Sequence, residues 1–203
     1  MTDLERRLAR APSAALDLAR VNEELSRRAG EAGLLDVAYG TVDSPVGRLT
    51  VYVTPRGLVR LRYPEEPEQE VMADLASDVS PRILSAPHRT DTVRRELDEY
   101  FAGRRHGFDL TLDWRLVRGF ASGVLHATAR IPFGSVASYG EVAAEAGSPR
   151  AARAAGNALH GNPIPIVVPC HRVLPADHSL GGYGGGPDRK RYLLTLEGAL
   201  PRP

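Results

Sequence analysis

The stretch SYGEVAAEAGSPRAARAAGNALHG, Ser138 to Gly161, decides the architecture of this chain. Ser138 followed three residues later by Glu141 is a capping box, so a helix opens here and runs to Ala146, where Gly147 ends it. Ser148 then stands as a second N-cap with Pro149 at the first helical position, and a further helix is expected to reach His160 and stop at Gly161. Two short helices so tightly joined read as a helix-turn-helix, although core αα-hairpins share the pattern. Ala151, Ala152, Ala154, Ala155, Gly156 and Ala158 keep the second helix slim, with Arg150 and Arg153 projecting near its start. A major-groove reader would carry several Asn, Gln, Arg or Lys side chains. This surface suits a narrower groove or a stack opened by a wedge, whereas simple helix propensity and close packing would explain the alanines equally well.

Upstream, Val117, Phe120, Val124 and Leu125 share a helical face from Leu116 until Ile131-Pro132-Phe133-Gly134 breaks it. Residues 36 to 112 read differently. Tyr39 to Val42, Leu49 to Thr54 and Leu58 to Tyr63 form an antiparallel meander joined by Ser-Pro-Val-Gly and Pro-Arg-Gly turns. Helices follow near Val71 to Leu75 and from Thr90 to Phe101, where Val93, Leu97 and Phe101 recur at i, i+4 and i+8, and Phe108 to Leu112 supplies another strand. Residues 1 to 29 read as helix divided at Pro12, with Leu4 and Leu8 on one face and Leu18, Val21 and Leu25 on another. The expected organisation is a helical extension (1–35), an α/β domain (36–112) and a helical domain (113–203).

The 203 residues suffice for one domain or two small ones, and 42% hydrophobic with 25% charged residues excludes disorder and fibre. No apolar run approaches a membrane span, and the first thirty residues lack the apolar core of a secretory signal, so the expected location is the cytoplasm, with no membrane partner. The net charge of +1 hides an asymmetry: residues 1–100 carry 14 basic and 18 acidic side chains, residues 101–203 carry 12 and 7. A basic second half admits a polyanion partner, as it admits plain solvated surface. Cys170 is the one cysteine, so no internal disulfide and no cysteine zinc cluster can form, and no metal is expected.

Cys170 lies in Asn162-Pro163-Ile164-Pro165-Ile166-Val167-Val168-Pro169-Cys170-His171-Arg172-Val173. Three prolines in seven positions forbid helix and present the thiol rigidly. A lone cysteine is commonly an inert core residue, and an adjacent histidine in extended backbone points to the opposite face. The run Pro169-Cys170-His171-Arg172-Val173, however, resembles the active-site motif of the O6-alkylguanine-DNA alkyltransferases (methylated-DNA:protein-cysteine methyltransferases). Ile131 to Gly134, Ser138 to Ala143, Arg153 to Gly156, Asn162-Pro163, Gly182 to Gly185 and Lys190 to Glu197 follow in that family's order and spacing.

The resemblance implies an α+β fold: a small antiparallel-sheet, ribonuclease-H-like amino-terminal domain, then a helical domain with a helix-turn-helix and an active-site loop. It implies stoichiometric, irreversible transfer of the alkyl group from O6-alkylguanine, and from O4-alkylthymine, to Cys170, with the base flipped through the minor groove of double-stranded DNA. No cofactor is implied and a monomer is expected. His171 is the implied base, acting through a bound water, with Glu197 orienting it. Tyr139 is the implied donor to guanine N3 and helps turn the phosphate. Tyr183, Gly184, Gly185, Pro169, Lys190 and the carbonyl of Val168 belong to the implied base pocket, and Asn162 to a hinge tying the recognition helix to the Cys170 segment. Arg153 is the implied intercalating finger, with Arg150, Ala154, Ala155 and Gly156 at the groove. Phe133, Ala155 and Gly184 depart from the commoner Tyr, Val and Ser, and the amino-terminal zinc ligands of some relatives are missing. A non-catalytic lesion-binding or regulatory protein, or a cysteine hydrolase using Cys170 and His171, are the competing readings.

Overall fold

The computed structural model describes residues 18–177 and 179–201. The expectations for Leu4, Leu8 and Pro12 lie outside these residues. Helix α1 (Leu18–Glu31) precedes the meander β1 (Val37–Val42), β2 (Leu49–Thr54) and β3 (Gly57–Arg62). Val51 and Tyr52 in the middle strand are fully buried, because both faces of β2 are covered. Gly57 makes the β2–β3 turn with φ +129°, and a side chain there would overlap the carbonyl oxygen of Thr111.

Helix α2 (Glu68–Asp78) then carries the chain to β4 (Ile83–Ser85), which lies parallel to β1. The strand order β3-β2-β1-β4 therefore makes a mixed sheet, where the meander alone predicted an antiparallel one. A helix between two strands brings the second back in the same direction as the first. Phe108 to Leu112 does not form the expected strand. It meets β3 at one bridge, Leu58 to Leu112, and farther along that edge the Leu61 amide donates to the Pro163 carbonyl instead (2.8 Å). Helix α3 (Asp91–Phe101) packs Val93, Leu97 and Tyr100 onto the sheet. Tyr100 is the buried member of the last turn, while Phe101 is half-buried.

Helix α4 (Gly119–Ala129) starts later than its apolar pattern suggests, since Gly119 adopts φ +58° and leaves Val117 in extended backbone. The two-residue strand β5 (Ala137–Ser138) leads into α5 (Tyr139–Glu145), whose capping box forms as expected. Ser148, in contrast, caps no helix. Residues 148–151 make a turn, and α6 (Ala152–His160) begins after it without a side-chain cap. A 3₁₀ turn (Cys170–Arg172), strand β6 (Val173–Leu174) paired parallel with β5, and α7 (Pro187–Leu196) complete the fold.

One apolar core runs through both halves of the chain: Val51 and Leu61 of the sheet, Leu97 of α3, Val124 of α4, Val142 of α5 and Cys170 belong to the same buried cluster. Each fully buried leucine in it contributes about 2 kcal/mol relative to exposure. No helix among the described residues is long and apolar enough to cross a membrane.

Candidate active site

The segment between α6 and the 3₁₀ turn is built by its prolines and one asparagine. Asn162, just past the end of α6, uses both ends of its amide. Its Oδ1 accepts from the Ile164 amide (3.0 Å), and its Nδ2 donates to the Val168 carbonyl (2.8 Å) and the Cys170 Sγ (3.1 Å). Ile166 between these points has φ +73°, the single non-glycine positive φ among the described residues. A β-branched residue there is strained, and the surrounding hydrogen bonds hold it. The Val168 carbonyl, expected to face a base, also accepts from the Cys170 amide (2.8 Å). Pro169 is buried, and its carbonyl accepts from the Arg172 amide (2.9 Å), opening the 3₁₀ turn that carries Cys170 and His171.

Cys170 is 8% exposed and lies where two cavities meet. One, of about 130 Å³, opens between Tyr139 and Gly156 on the helix-turn-helix side, and the other, of about 240 Å³, runs past Asn162 and Pro165 toward Tyr63 of the sheet. Tyr183 and Gly184 border both. Burial pushes the Cys170 thiol up in pKa, opposed by the Asn162 hydrogen bond, the Lys190 charge and the Tyr183 hydroxyl. At rest it is a thiol in need of a base.

Behind it sits a buried polar cluster. His171 Nε2 is 2.9 Å from Glu197 Oε1, and both side chains are fully buried. Glu197, at the C-cap of α7, also accepts from Arg172 Nε (2.8 Å) and Nη2 (2.9 Å) and from the Tyr100 hydroxyl (2.6 Å). Burial alone would raise the Glu197 carboxyl, but the hydrogen bonds from His171 and Arg172 hold it at about 2. His171 is pushed down by burial despite Glu197, and is therefore neutral at neutral pH. Its Nε2 proton goes to the carboxylate, which leaves Nδ1 a lone pair with no partner among the described residues.

The remaining expected residues divide. Tyr139 faces the smaller cavity with its ring against Gly156, and burial holds its hydroxyl protonated. Arg150, Arg153 and Ala154 are exposed in the turn and first turn of the second helix of the helix-turn-helix. Ala155 is not at a groove surface. It is fully buried and packs α6 onto the core, which corrects its assignment as a DNA contact. Lys190 does not line either cavity. Its Nζ donates to the carbonyls of Val173 (2.8 Å) and Gly182 (3.3 Å), and burial lowers its pKa to about 8 while the nearby Cys170 raises it. It anchors the glycine loop and supplies positive charge near the sulfur. Gly185 is buried between Tyr63 and Tyr183.

Sequence reasoning missed Tyr63, Tyr100, Arg172 and Arg189. Arg172 stood in the quoted motif with no role attached. Tyr100 lies three residues after Leu97 and seven after Val93, a helical-face position that could have placed it in the core.

Fold and site together define a helix-turn-helix protein with one buried thiol, backed by a neutral imidazole on an ionised carboxylate. Residues 37–114 match the model of the 6-O-methylguanine DNA methyltransferase ribonuclease-like domain, and residues 119–199 that family's DNA binding domain. A methylated-DNA–protein-cysteine methyltransferase of Mycolicibacterium paratuberculosis is 42% identical over 161 residues, 79% of this chain and 92% of that one. Its counterpart from Methanosarcina acetivorans is 46% identical over 161 residues, 79% and 98% of the two chains. The crystal structure of the Mycobacterium tuberculosis O6-methylguanine methyltransferase superposes with a TM-score of 0.69 at 41% identity, covering 80% of this chain and 93% of that one. A crystal structure of Mycobacterium tuberculosis OGT in complex with DNA gives 0.68 at the same identity and the same coverage of both chains. The chain belongs to the 6-O-methylguanine DNA methyltransferase family.

Proposed function

We propose that this chain is a methylated-DNA–protein-cysteine methyltransferase that repairs double-stranded DNA in a single turnover, as a monomer in the cytoplasm. The observation that carries the reading is the placement of Cys170 at the meeting of two cavities, one opening beside the helix-turn-helix, with His171 and Glu197 buried behind it.

The transfer balances simply. His171 Nδ1 takes the thiol proton through a bridging water, and its charge is compensated by Glu197. The Cys170 sulfur attacks the alkyl carbon in line, the S–C bond forms as the C–O6 bond breaks, and the electron pair stays on the purine. Tyr139 donates a proton to guanine N3, so the base leaves neutral; the proton held on His171 then returns through solvent to the Tyr139 phenolate, and the net proton movement is from thiol to guanine. The thioether is not hydrolysed, and the protein is spent.

A stacked base cannot reach this sulfur, so the nucleotide is everted and Arg153 takes its place in the stack, with Arg150 and Ala154 at the backbone. The Gly181–Gly186 loop bounds the pocket. Gly184 has no hydroxyl to offer O6, so recognition there falls to backbone groups and to Tyr183.

Incubation with a duplex bearing O6-methylguanine, followed by intact-mass measurement, tests the reading. One methyl group gained by the protein, lost from the DNA, and absent in Cys170→Ala is the expected result. An unchanged mass with the lesion intact means a lesion binder, and turnover of an ester or amide by Cys170 means a hydrolase.

A further inference from the structure

The sheet half of the chain reaches the site through two phenols. Tyr63, with the Arg189 guanidinium 4.8 Å from its ring centroid, has its hydroxyl 2.8 Å from that of Tyr183. Tyr100, in the last turn of α3, reaches deeper, to the acid behind the base. Three donors meet there on one oxygen. Glu197 Oε1 accepts from the Tyr100 hydroxyl (2.6 Å), from His171 Nε2 (2.9 Å) and from Arg172 Nη2 (2.9 Å), while Oε2 accepts from Arg172 Nε (2.8 Å).

The direction of these bonds is fixed by chemistry. A guanidinium only donates, and a carboxylate gripped by its two-pronged fork is ionised and only accepts, so the phenol proton points from Tyr100 to Oε1. The ring that carries it is fully buried, with the centroids of Phe108, Phe101 and Phe133 at 5.2, 5.3 and 6.2 Å. The shortest bond on the shared oxygen thus comes from a neutral group in the other half of the chain.

A general base must be free of a proton at rest and still basic enough to accept one. Glu197 supplies the basicity, because an adjacent negative charge favours the imidazolium. Unshared, that charge would also hold a proton on His171 at rest. A donor on the same oxygen draws off part of it. We propose that Tyr100 is a positioning residue for the alkyl transfer: by donating to the oxygen on which His171 leans, it tempers the pull of Glu197 on the imidazole and leaves Nδ1 free to take the Cys170 proton. Its part in transfer rests on Cys170 as nucleophile, whereas its effect on the imidazole does not. No bond-making step is added, since burial and the adjacent carboxylate push the Tyr100 phenol up and it keeps its proton.

Other groups face His171 as well. Lys190 and Glu197 do so from α7, Arg172 and Cys170 from its own turn, and the Tyr183 ring edge-on from the glycine loop, with centroids 6.4 Å apart. Helix α4, packed on the same turn, carries His126, whose ring lies 4.1 Å from that of Trp114. Burial, Arg172 and Lys190 push His171 down and Glu197 pushes it up, so the measurement is a difference from the wild type.

Tyr100→Phe in the full chain keeps the ring and removes one hydroxyl. The protein is labelled with ¹³C,¹⁵N-histidine and titrated by NMR, with His171 assigned among the six histidines by its loss in His171→Gln. The His171 imidazolium pKa rises by about 0.5 to 1, and the Nε2 proton, still protected from exchange, moves downfield. In single-turnover alkylation by free O6-benzylguanine the acid limb of the pH profile moves up with it, so the rate on that limb falls about three- to tenfold. In a Glu197→Gln background, with no charge to share, the same substitution moves the imidazolium by less than half as much. An unmoved Nε2 proton and acid limb, or an equal shift in both backgrounds, overturns the proposal. Loss of the Nε2 proton to exchange means that the core has merely opened, and overturns it too. Should Tyr100→Phe not fold, 3-fluorotyrosine at position 100 decides: a stronger donor lowers the His171 value, and an unmoved or raised one overturns the proposal. The NMR arm needs no substrate. The expected imidazole shifts, with no alkyl transfer from guanine by the wild type, leave the shared carboxylate standing and sink the repair reading.

Discussion

Replacing Glu197 by glutamine keeps the shape of the side chain and removes its charge. The wild-type carboxylate accepts four hydrogen bonds, one each from Tyr100 and His171 and two from Arg172. Arg172 has a side chain 7% exposed and one further acceptor, the Ile131 carbonyl. A glutamine amide presents one oxygen and one NH₂, so at least one of these donors must face another donor. An uncompensated buried guanidinium costs about 3–5 kcal/mol. At about 2–4 °C per kcal/mol for a chain of this size, the melting temperature falls by about 6–20 °C. The urea midpoint, at unchanged slope, reads the same quantity.

Acid sharpens the test. The Glu197 carboxyl is held at about 2, below its ordinary 4.5. Its stabilisation, about 3 kcal/mol, is complete above the ordinary value and is lost as pH falls toward the folded one. Glu197→Gln lacks that part of the acid slope. Adding Arg172→Met removes the stranded charge and recovers most of the stability, but His171 still has no carboxylate, so alkyl transfer stays slow. A single variant within about 1 kcal/mol of wild type, or with an unaltered acid slope, refutes the assignment of a charged hub.

Asn162→Ala removes the ties to Val168, Cys170 and Ile164. It is expected to cost about 1–3 kcal/mol and to slow transfer more than tenfold without loss of DNA binding, measured by denaturant melts and single-turnover alkylation. Arg153→Ala should slow repair of a paired lesion far more than reaction with free O6-benzylguanine, and equal losses on the two substrates count against intercalation. Gly57→Ala forces a side chain into the Thr111 carbonyl at φ +129° and is expected to lower stability by about 2–4 kcal/mol in urea unfolding, with the Cys170 reaction rate of the folded fraction unchanged.

Local chemistry made half of this molecule legible. The capping box at Ser138 and Glu141, the helix stop at Gly161 and the three meander strands need only neighbours in sequence, and they form where expected. Ser148 misled because a Ser-Pro pair suits a turn as well as an N-cap, and the chain made the turn. Ala155 misled because a slim helix has two sides, and sequence alone could not say which alanines face the core. Phe108 to Leu112 has strand composition, but the edge it would join is partly taken by Pro163, a residue about fifty positions away.

The site itself divides along the same line. Cys170, His171, Asn162 and Glu197 sit in one run of motifs, whereas the hydrogen bond from Tyr100 to Glu197 spans 97 residues and that between Tyr63 and Tyr183 spans 120. No periodicity encodes such pairs. Their existence changes what the sheet is for. A domain that merely accompanied the helix-turn-helix would meet it through a separable, hydrated interface. Here one core crosses the boundary, and two buried phenols from the sheet side reach the acid behind the base and the loop beside the sulfur. The carboxylate that orients His171 is thus itself held by α3, so a substitution that loosens the packing of Leu97 or Tyr100 should reduce Cys170 reactivity before it unfolds the recognition helix.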